Sequence, residues 1–148
     1  MTDVQMTAGV TTGEQFETVR YPDDEIRLRV SDGGNVQVVE YLSTDREGPA
    51  PHSHLWHEVE FVIEGEVEFY VNGQWTRGGP GTVQMLPAGA SHAVRVPAGT
   101  ARLLYITIGP PYAGMARELS ALYATGKVDP SSIIEIAHRH GLRLEGEQ

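Results

Sequence analysis

The sequence predicts an all-β fold, a sandwich or barrel of short strands followed by a helical tail. Seventeen glycines and nine prolines in 148 residues lie between apolar segments without forming a repeat, the mark of many short elements joined by turns. Apolar and polar residues alternate in short runs, with turn residues roughly every 8–12 positions. After Gly109-Pro110-Pro111 the apolar period lengthens to that of a helix.

Taken in order, residues 1–15 are polar, rich in Thr and Gly, and read as a flexible arm. Residues 26–30 alternate Ile, Arg, Leu, Arg, Val, and "SDGGN" (31–35) turns the chain into the valine-rich run 36–42, a plausible hairpin. Residues 44–51 form a loop with a Gly-Pro step. Runs at 59–63 and 66–71 follow, and Asn72-Gly73 is the strongest local hairpin signal in the chain. "RGGPG" (77–81) bends it again before 82–86, "PAG" (87–89) leads into 92–96, and a second "PAG" (97–99) precedes 101–108, the longest apolar strand. Met115, Leu119, Leu122 and Tyr123 then recur at helical spacing, with Gly126 as a stop. A second helix starts near Asp129, whose side chain caps it with Pro130 in the first turn. Ile133, Ile136, Ala137 and His140 share its buried side and Gly141 ends it. The expected organisation is an arm (1–15), a barrel (16–111) and a helical extension packed on it (112–148).

Composition excludes several classes. Eleven basic against 20 acidic residues give a net charge of −9, and Lys127 is the sole lysine. Nucleic-acid affinity depends on neutralising phosphates, so no nucleic-acid partner is expected, and an anionic membrane surface would repel the chain. No cysteine is present, which removes thiolate nucleophiles and cysteine-built metal sites. The amino terminus carries no basic start or apolar run, and no segment has the length of a membrane span. The expectation is a cytoplasmic protein.

The chemistry concentrates in "GPAPHSHLWHEVEFVIEG", residues 48–65. His52 and His54 are two apart in extended chain and point to one face. Glu58 keeps that parity if the extension continues, and two imidazoles with a carboxylate make a facial set for a divalent metal. His92 follows Pro87-Ala88-Gly89 and can return on a neighbouring strand as a fourth ligand. Surface histidines in a polar loop are the bland alternative. Four of the six histidines fall in 51–92, however, and three of them combine with a glutamate of matching parity.

These residues resemble the two motifs of the cupin superfamily. In the first, His52-Ser53-His54 is followed after three residues by Glu58 and after six more by Gly65. In the second, Gly81 is followed after five residues by Pro87-Ala88-Gly89 and after two by His92. Gly48 lies closer to His52 than is usual, and Val96 stands where asparagine often closes the second motif. The resemblance covers about residues 30–108. It implies a cupin (jelly-roll) β-barrel with a short C-terminal helical extension, and one divalent transition metal ion per chain held by His52, His54, Glu58 and His92. The ligand types do not choose among Fe, Mn, Ni, Co, Cu and Zn. Within the superfamily, the length, motif spacing and tail look like small bacterial quercetinase-like dioxygenases. The implied partners are a small aromatic or enolic (flavonol-like) substrate and dioxygen, and the implied assembly is a homodimer. Glu58 is the candidate general base for an enol hydroxyl, and the metal would hold the resulting anion. A non-oxidative isomerase or cyclase of the same fold is the alternative enzyme. A metal-stabilised binding or sensor protein is the non-catalytic one.

Other residues divide between roles. Glu60 shares the parity of Glu58 and is a second pocket carboxylate unless barrel curvature turns it to solvent. His57 has the opposite parity and lies outside the ligand set. Trp56, Phe61, Phe69, Tyr70, Trp75 and Met85 are divided between a pocket lining and the core. His138 and His140 repeat the H-x-H spacing on a helix, where residues two apart diverge by about 200° and cannot chelate one ion. They are expected at the helix end, His140 partly packed and His138 exposed. Arg27 and Arg29 suit a half-exposed edge strand.

Overall fold

The computed structural model describes residues 3–147, so Met1 and Thr2 of the arm and Gln148 of the extension lie outside the described residues. Two antiparallel sheets face each other. One contains β1 (Glu17–Tyr21), β2 (Asp24–Gly33), β3 (Val36–Ser43), β5 (His57–Glu64), β8 (Val83–Leu86) and β10 (Ala101–Ile108), in the spatial order β1-β2-β3-β10-β5-β8. The other contains β4 (His52–Ser53), β6 (Val67–Val71), β7 (Gln74–Gly78), β9 (His92–Arg95) and β11 (Arg143–Leu144), in the order β11-β4-β9-β6-β7. This is a jelly-roll barrel, extended by α1 (Ala113–Ala124) and α2 (Pro130–Arg139).

β10 explains the inner face. Ala101, Leu103, Tyr105 and Thr107 are buried and the residues between them are half-buried, the period-two pattern of a strand with one face in the core. β5 carries the same alternation with different chemistry. Its buried positions are Glu58, Glu60 and Val62, while His57 and Phe61 face out. Two carboxylates therefore occupy places an apolar core would take. The apolar core proper includes Ile26, Leu28, Val39, Val62, Val67, Phe69 and Leu103.

The chain departs from the expected hairpin before residue 36. β2 runs on to Gly33, and the turn is confined to Gly34-Asn35, with Gly34 at φ +85°. The pairing with β3 slips between Leu28 and Val30 and again between Val30 and Gly33, so one extra residue at Arg29 and one at Ser31-Asp32 are absorbed as bulges. β1 pairs along β2 from Glu17 to Tyr21 and takes the edge of the sheet. Arg27 and Arg29 therefore lie one strand in from that edge. Their guanidinium groups reach Glu40 of β3, which also pairs with Arg102, and Phe16 lies over both arginines.

Gly48 has a conformational reason to be glycine. Its φ is +71°, and a Cβ there would lie 2.1 Å from the carbonyl oxygen of Val94. The loop before β4 thus presses its backbone directly onto β9.

The helices are joined to the barrel by polar contacts. α1 has no side-chain cap of its own. The buried Gln37 of β3 supplies one, its Oε1 accepting from the backbone N–H groups of Tyr112 and Ala113 at 2.9 and 3.0 Å. α2 begins as expected, with Asp129 accepting from the N–H of Ser132 and Pro130 in the first turn. Glu118 of α1 binds Arg139 and His140 at the end of α2. His138 pairs with Glu147, so it is carboxylate-bound and half-buried like His140 instead of exposed. Among the described residues no helix is long and apolar enough to cross a membrane.

Candidate metal centre

The ligand candidates come from both sheets. His52 on β4 stands directly opposite His92 on β9. His54 follows β4, and the chain then bends at Leu55-Trp56 and enters β5 in the other sheet. Glu58 therefore does not reach the site by continued extension from His54, as its spacing alone suggested. It arrives from the facing sheet, where the inward parity of β5 aims it at the histidines.

The imidazole nitrogens of His52, His54 and His92 lie within 4.8 Å of one another. The Glu58 oxygens lie 3.5 Å from His54 Nε2 and 3.8 Å from His92 Nε2. Ligands about 2.0–2.2 Å from a shared ion are themselves about 3–4 Å apart, so the spacing fits a cation in their midst. Tautomers agree with this. Each ring places Nδ1 at 3.0 Å from a backbone carbonyl, His52 on Ala50, His54 on Trp56 and His92 on Ala90. A neutral imidazole donating from Nδ1 leaves the Nε2 lone pair free for a metal. His54 Nε2 is fully buried with no hydrogen-bond partner, a costly vacancy for a polar atom unless an ion fills it. A His/Glu cluster of this form can coordinate a divalent metal.

Burial, with the neighbouring His92 ring adding to it, pushes the His52 pKa down to about 4. His92 is likewise lowered by burial. Both rings are therefore neutral near pH 7, the form a metal needs. Glu58 and Glu60 form a coupled pair. Burial raises Glu58, but the proton Glu60 presents to it and the closeness of the His54 and His92 rings overcome this and hold it low. Burial and the Glu58 charge drive Glu60 well above the carboxylate range, so Glu60 keeps the proton and donates it toward Glu58. Gln84 Nε2 holds Glu60 from the other side at 3.1 Å, and the Trp56 indole N–H holds Glu58 at 3.2 Å. The Trp56 ring also stacks on His54, 4.1 Å between centroids. Glu60 thus faces inward, 1% exposed, and Glu58, Glu60 and His92 bring their ligand atoms together as a second overlapping group.

A cavity of about 420 Å³ opens from this cluster, within the usual size of small-molecule sites. Of Trp56, Phe61, Phe69, Tyr70, Trp75 and Met85, which the sequence divides between pocket and core, Trp56 alone lines it. Phe69 is in the core, and Phe61, Trp75 and Met85 are exposed. The walls are instead made by Tyr21, Tyr41, Tyr105, Tyr112 and Tyr123, with Met115, Leu119, Ile133 and Ala137 from the two helices. Single tyrosines far apart in sequence give no motif, although the inward parity of Tyr41 and Tyr105 between buried neighbours was a usable signal. His57 is exposed and accepts from the Ala88 N–H at 3.0 Å.

At the end of the cavity away from the histidines, Tyr41 and Tyr112 join their hydroxyls and Tyr21 lies 3.5 Å from Tyr112. Asp24 stands beside them. Burial raises its pKa to about 6; a hydrogen bond from Ser43 offsets part of this, and the charges of Asp45 and Asp23 add to it.

Residues 38–108 match the cupin domain family. No curated protein matches the chain. Among solved structures it is similar to KdgF from Halomonas sp., at 16% identity and TM-score 0.60 over 69% of this chain and 93% of that one. It is similar to an RmlC-like cupin from Shewanella frigidimarina, at 19% identity and TM-score 0.59 over 70% and 93%. It is also similar to the polyketide cyclase RemF from Streptomyces resistomycificus, at 25% identity and TM-score 0.54 over 70% and 80%.

Two outcomes are expected from this geometry. Elemental analysis should find about one divalent transition ion per chain, and His54→Ala or His92→Ala should cut metal affinity at least about tenfold. Equal metal content in all three proteins would remove the site. Asp24 concerns stability. Its folded pKa of about 6 exceeds the unfolded value near 3.9, so its contribution is fully present below about pH 4 and lost as pH rises through 6. Asp24→Asn should therefore stabilise the protein by about 1–3 kcal/mol at pH 7.5 in urea unfolding. That advantage should fade toward pH 4; one that does not change with pH would refute the assignment.

Proposed function

We propose that this chain is a cupin, a reading supported by its jelly-roll fold and its match over residues 38–108, and that it is a metal-dependent dioxygenase of a small enolic or phenolic aromatic compound. His52, His54, Glu58 and His92 are the proposed ligands. The observation that carries the reading is the pairing of three imidazoles, each with Nε2 free, with a carboxylate at one end of a tyrosine-walled cavity. A divalent transition metal bound there would supply Lewis acidity, lowering the pKa of a substrate hydroxyl and holding its anion.

The protein's own groups account for the rest. Glu58 is ionised, so besides helping to hold an ion it would take the hydroxyl proton. Trp56 and the protonated Glu60 hold that carboxylate in place from two directions. Tyr41 and Tyr105, stacked 4.5 Å apart, offer flat surfaces to an aromatic ring. Met115 and Leu119 of α1 help close the cavity over it, keeping water from the electron-rich enolate, the species that reacts with dioxygen. A second reading, cyclisation without oxygen, is supported by the similarity to the polyketide cyclase RemF. It uses the same base and the same enolate.

An oxygen electrode separates the two. Protein loaded with Fe, Mn, Co, Ni or Cu should consume dioxygen with at least one member of a flavonol and hydroxyketone panel, and Glu58→Gln should lower kcat about 10²–10⁴-fold. Substrate conversion without oxygen uptake selects the cyclase reading, and no conversion at all sinks the enzyme reading.

We also infer a homodimer. Phe61, Val83 and Met85 lie together on the outer faces of β5 and β8, where Phe61 pairs with Val83 and Val59 with Met85, and all three are exposed. An apolar row of this kind on a sheet face supports burial against a second copy. Sedimentation equilibrium should give a dimer for the native chain and a monomer for Met85→Glu; a monomeric native chain would overturn the assembly.

A further inference from the structure

The cavity has a charge pattern that narrows its ligand. None of the described residues that line it is lysine or arginine, whereas Asp23, Asp24, Asp45, Glu58 and Glu60 all do. Glu58 and Glu60 belong to the metal cluster. The three aspartates stand at the opposite end, where the β1–β2 turn and the loop before β4 meet the cavity. His138, on α2, also lines the wall but is paired with Glu147. An anion entering this space meets carboxylates and no cation except at the metal, and charge of one sign lining a cleft focuses its field along the entry path.

An independent feature points to a ligand between the two ends. Tyr105 is 7% exposed and lines the cavity, with Val39 and Glu60 as its cross-strand neighbours. Its ring stacks on Tyr41, yet its hydroxyl makes no hydrogen bond to any described residue. The other inner hydroxyls, those of Tyr21, Tyr41 and Tyr112, satisfy one another. Burial and the nearby Glu58 charge hold Tyr105 protonated, so its hydroxyl keeps a proton to donate into the cavity. That hydroxyl opens on the cavity, where a ligand oxygen can accept from it.

We propose that the cavity takes an uncharged, hydroxylated aromatic molecule, which receives a hydrogen bond from Tyr105, and that Asp24 and Asp45 reject ligands carrying a carboxylate or phosphate beyond the group on the metal. This rests on the reading of the site as one for enolic or phenolic aromatics and adds the charge class of the substrate. It separates this chain's ligand from compounds that carry an anionic group at the end far from the metal, where no lining cation stands to receive it. Free hydroxyls on the ligand's distal end are accepted by the aspartates, which have acceptor capacity and no donor when ionised.

The test uses the full chain loaded with cobalt(II) at pH 8, with binding read by calorimetry and by the cobalt visible spectrum. The paired probes are 3-hydroxyflavone and its 4′-carboxylate. The neutral flavonol is expected to bind at least tenfold more tightly, and the Asp24→Asn/Asp45→Asn double variant should narrow that ratio below threefold. Tyr105→Phe should weaken the neutral flavonol about three- to tenfold, the loss of one hydrogen bond, without altering the ratio. Equal or tighter binding of the carboxylate, or a ratio untouched by the double variant, overturns the proposal. Azide and imidazole, an anion and a neutral ligand small enough to need no aromatic pocket, separate this failure from that of the underlying reading. If neither flavonol binds but azide gains at least threefold in the double variant while imidazole does not, the charge filter stands and the aromatic substrate falls. If azide is also unchanged, both fall.

Discussion

Two glutamates facing the inside of a small barrel are the constraint around which this protein is arranged. An ionised carboxylate away from water is tolerated only with partners, and the neighbourhood of Glu58 is a series of such partners. Trp56 gives an N–H, Glu60 keeps a proton to donate, and His54 and His92 bring their ring nitrogens close. Gln84 stabilises Glu60 in turn. Each of these residues is buried for the sake of its neighbour. The imidazoles obey the same rule, each giving its Nδ1 proton to a backbone carbonyl and keeping Nε2 for the centre. Of the two buried side-chain atoms left without a partner among the described residues, His54 Nε2 and Gln84 Oε1, the first stands where a cation would bind.

The helices gain a different meaning from this arrangement. A tail after a complete barrel reads from sequence as a brace. Here Met115 and Leu119 of α1 and Ile133 and Ala137 of α2 form part of the cavity wall, and Gln37 ties the start of α1 to the central strand β3. The barrel supplies the polar end of the site and the helices much of the apolar side.

The readable parts of the sequence were those with short-range chemistry. Period-two alternation placed the strands at 36–42, 59–63 and 101–108, and Asn72-Gly73 marked its hairpin with Asn72 itself at φ +52°. The ligand candidates were legible because H-x-H and Glu58 sit within seven residues. The reason for their convergence was not, since the bend at Leu55-Trp56 moves the chain between sheets and only the facing of two inner surfaces restores the geometry. β1 was missed because Glu17–Tyr21 is polar on an edge and gains its strand character from β2. β7, with Gln74, Trp75, Thr76 and Arg77 all exposed, has no buried face to produce a pattern. The tyrosine wall escaped for a related reason: its members come from β1, β3, β10, the start of α1 and its end, and only the folded chain assembles them.

The two-residue strand β4 has one further implication, for the order in which the molecule becomes complete. His52 is held between His92 of β9 on one side and Leu144 of β11 on the other, and Glu145 donates its N–H to Pro51 at 2.8 Å. Its strand is too short to keep its place alone. The segment that clamps it lies some ninety positions later in the chain, so the histidine cluster depends on one of the most distant pairings in the fold, the kind that forms slowly. A nascent chain can complete its six-stranded sheet before residue 143 has been made, yet its first histidine is still unclamped. The second neighbour of His52 is therefore available only after every other strand of the fold.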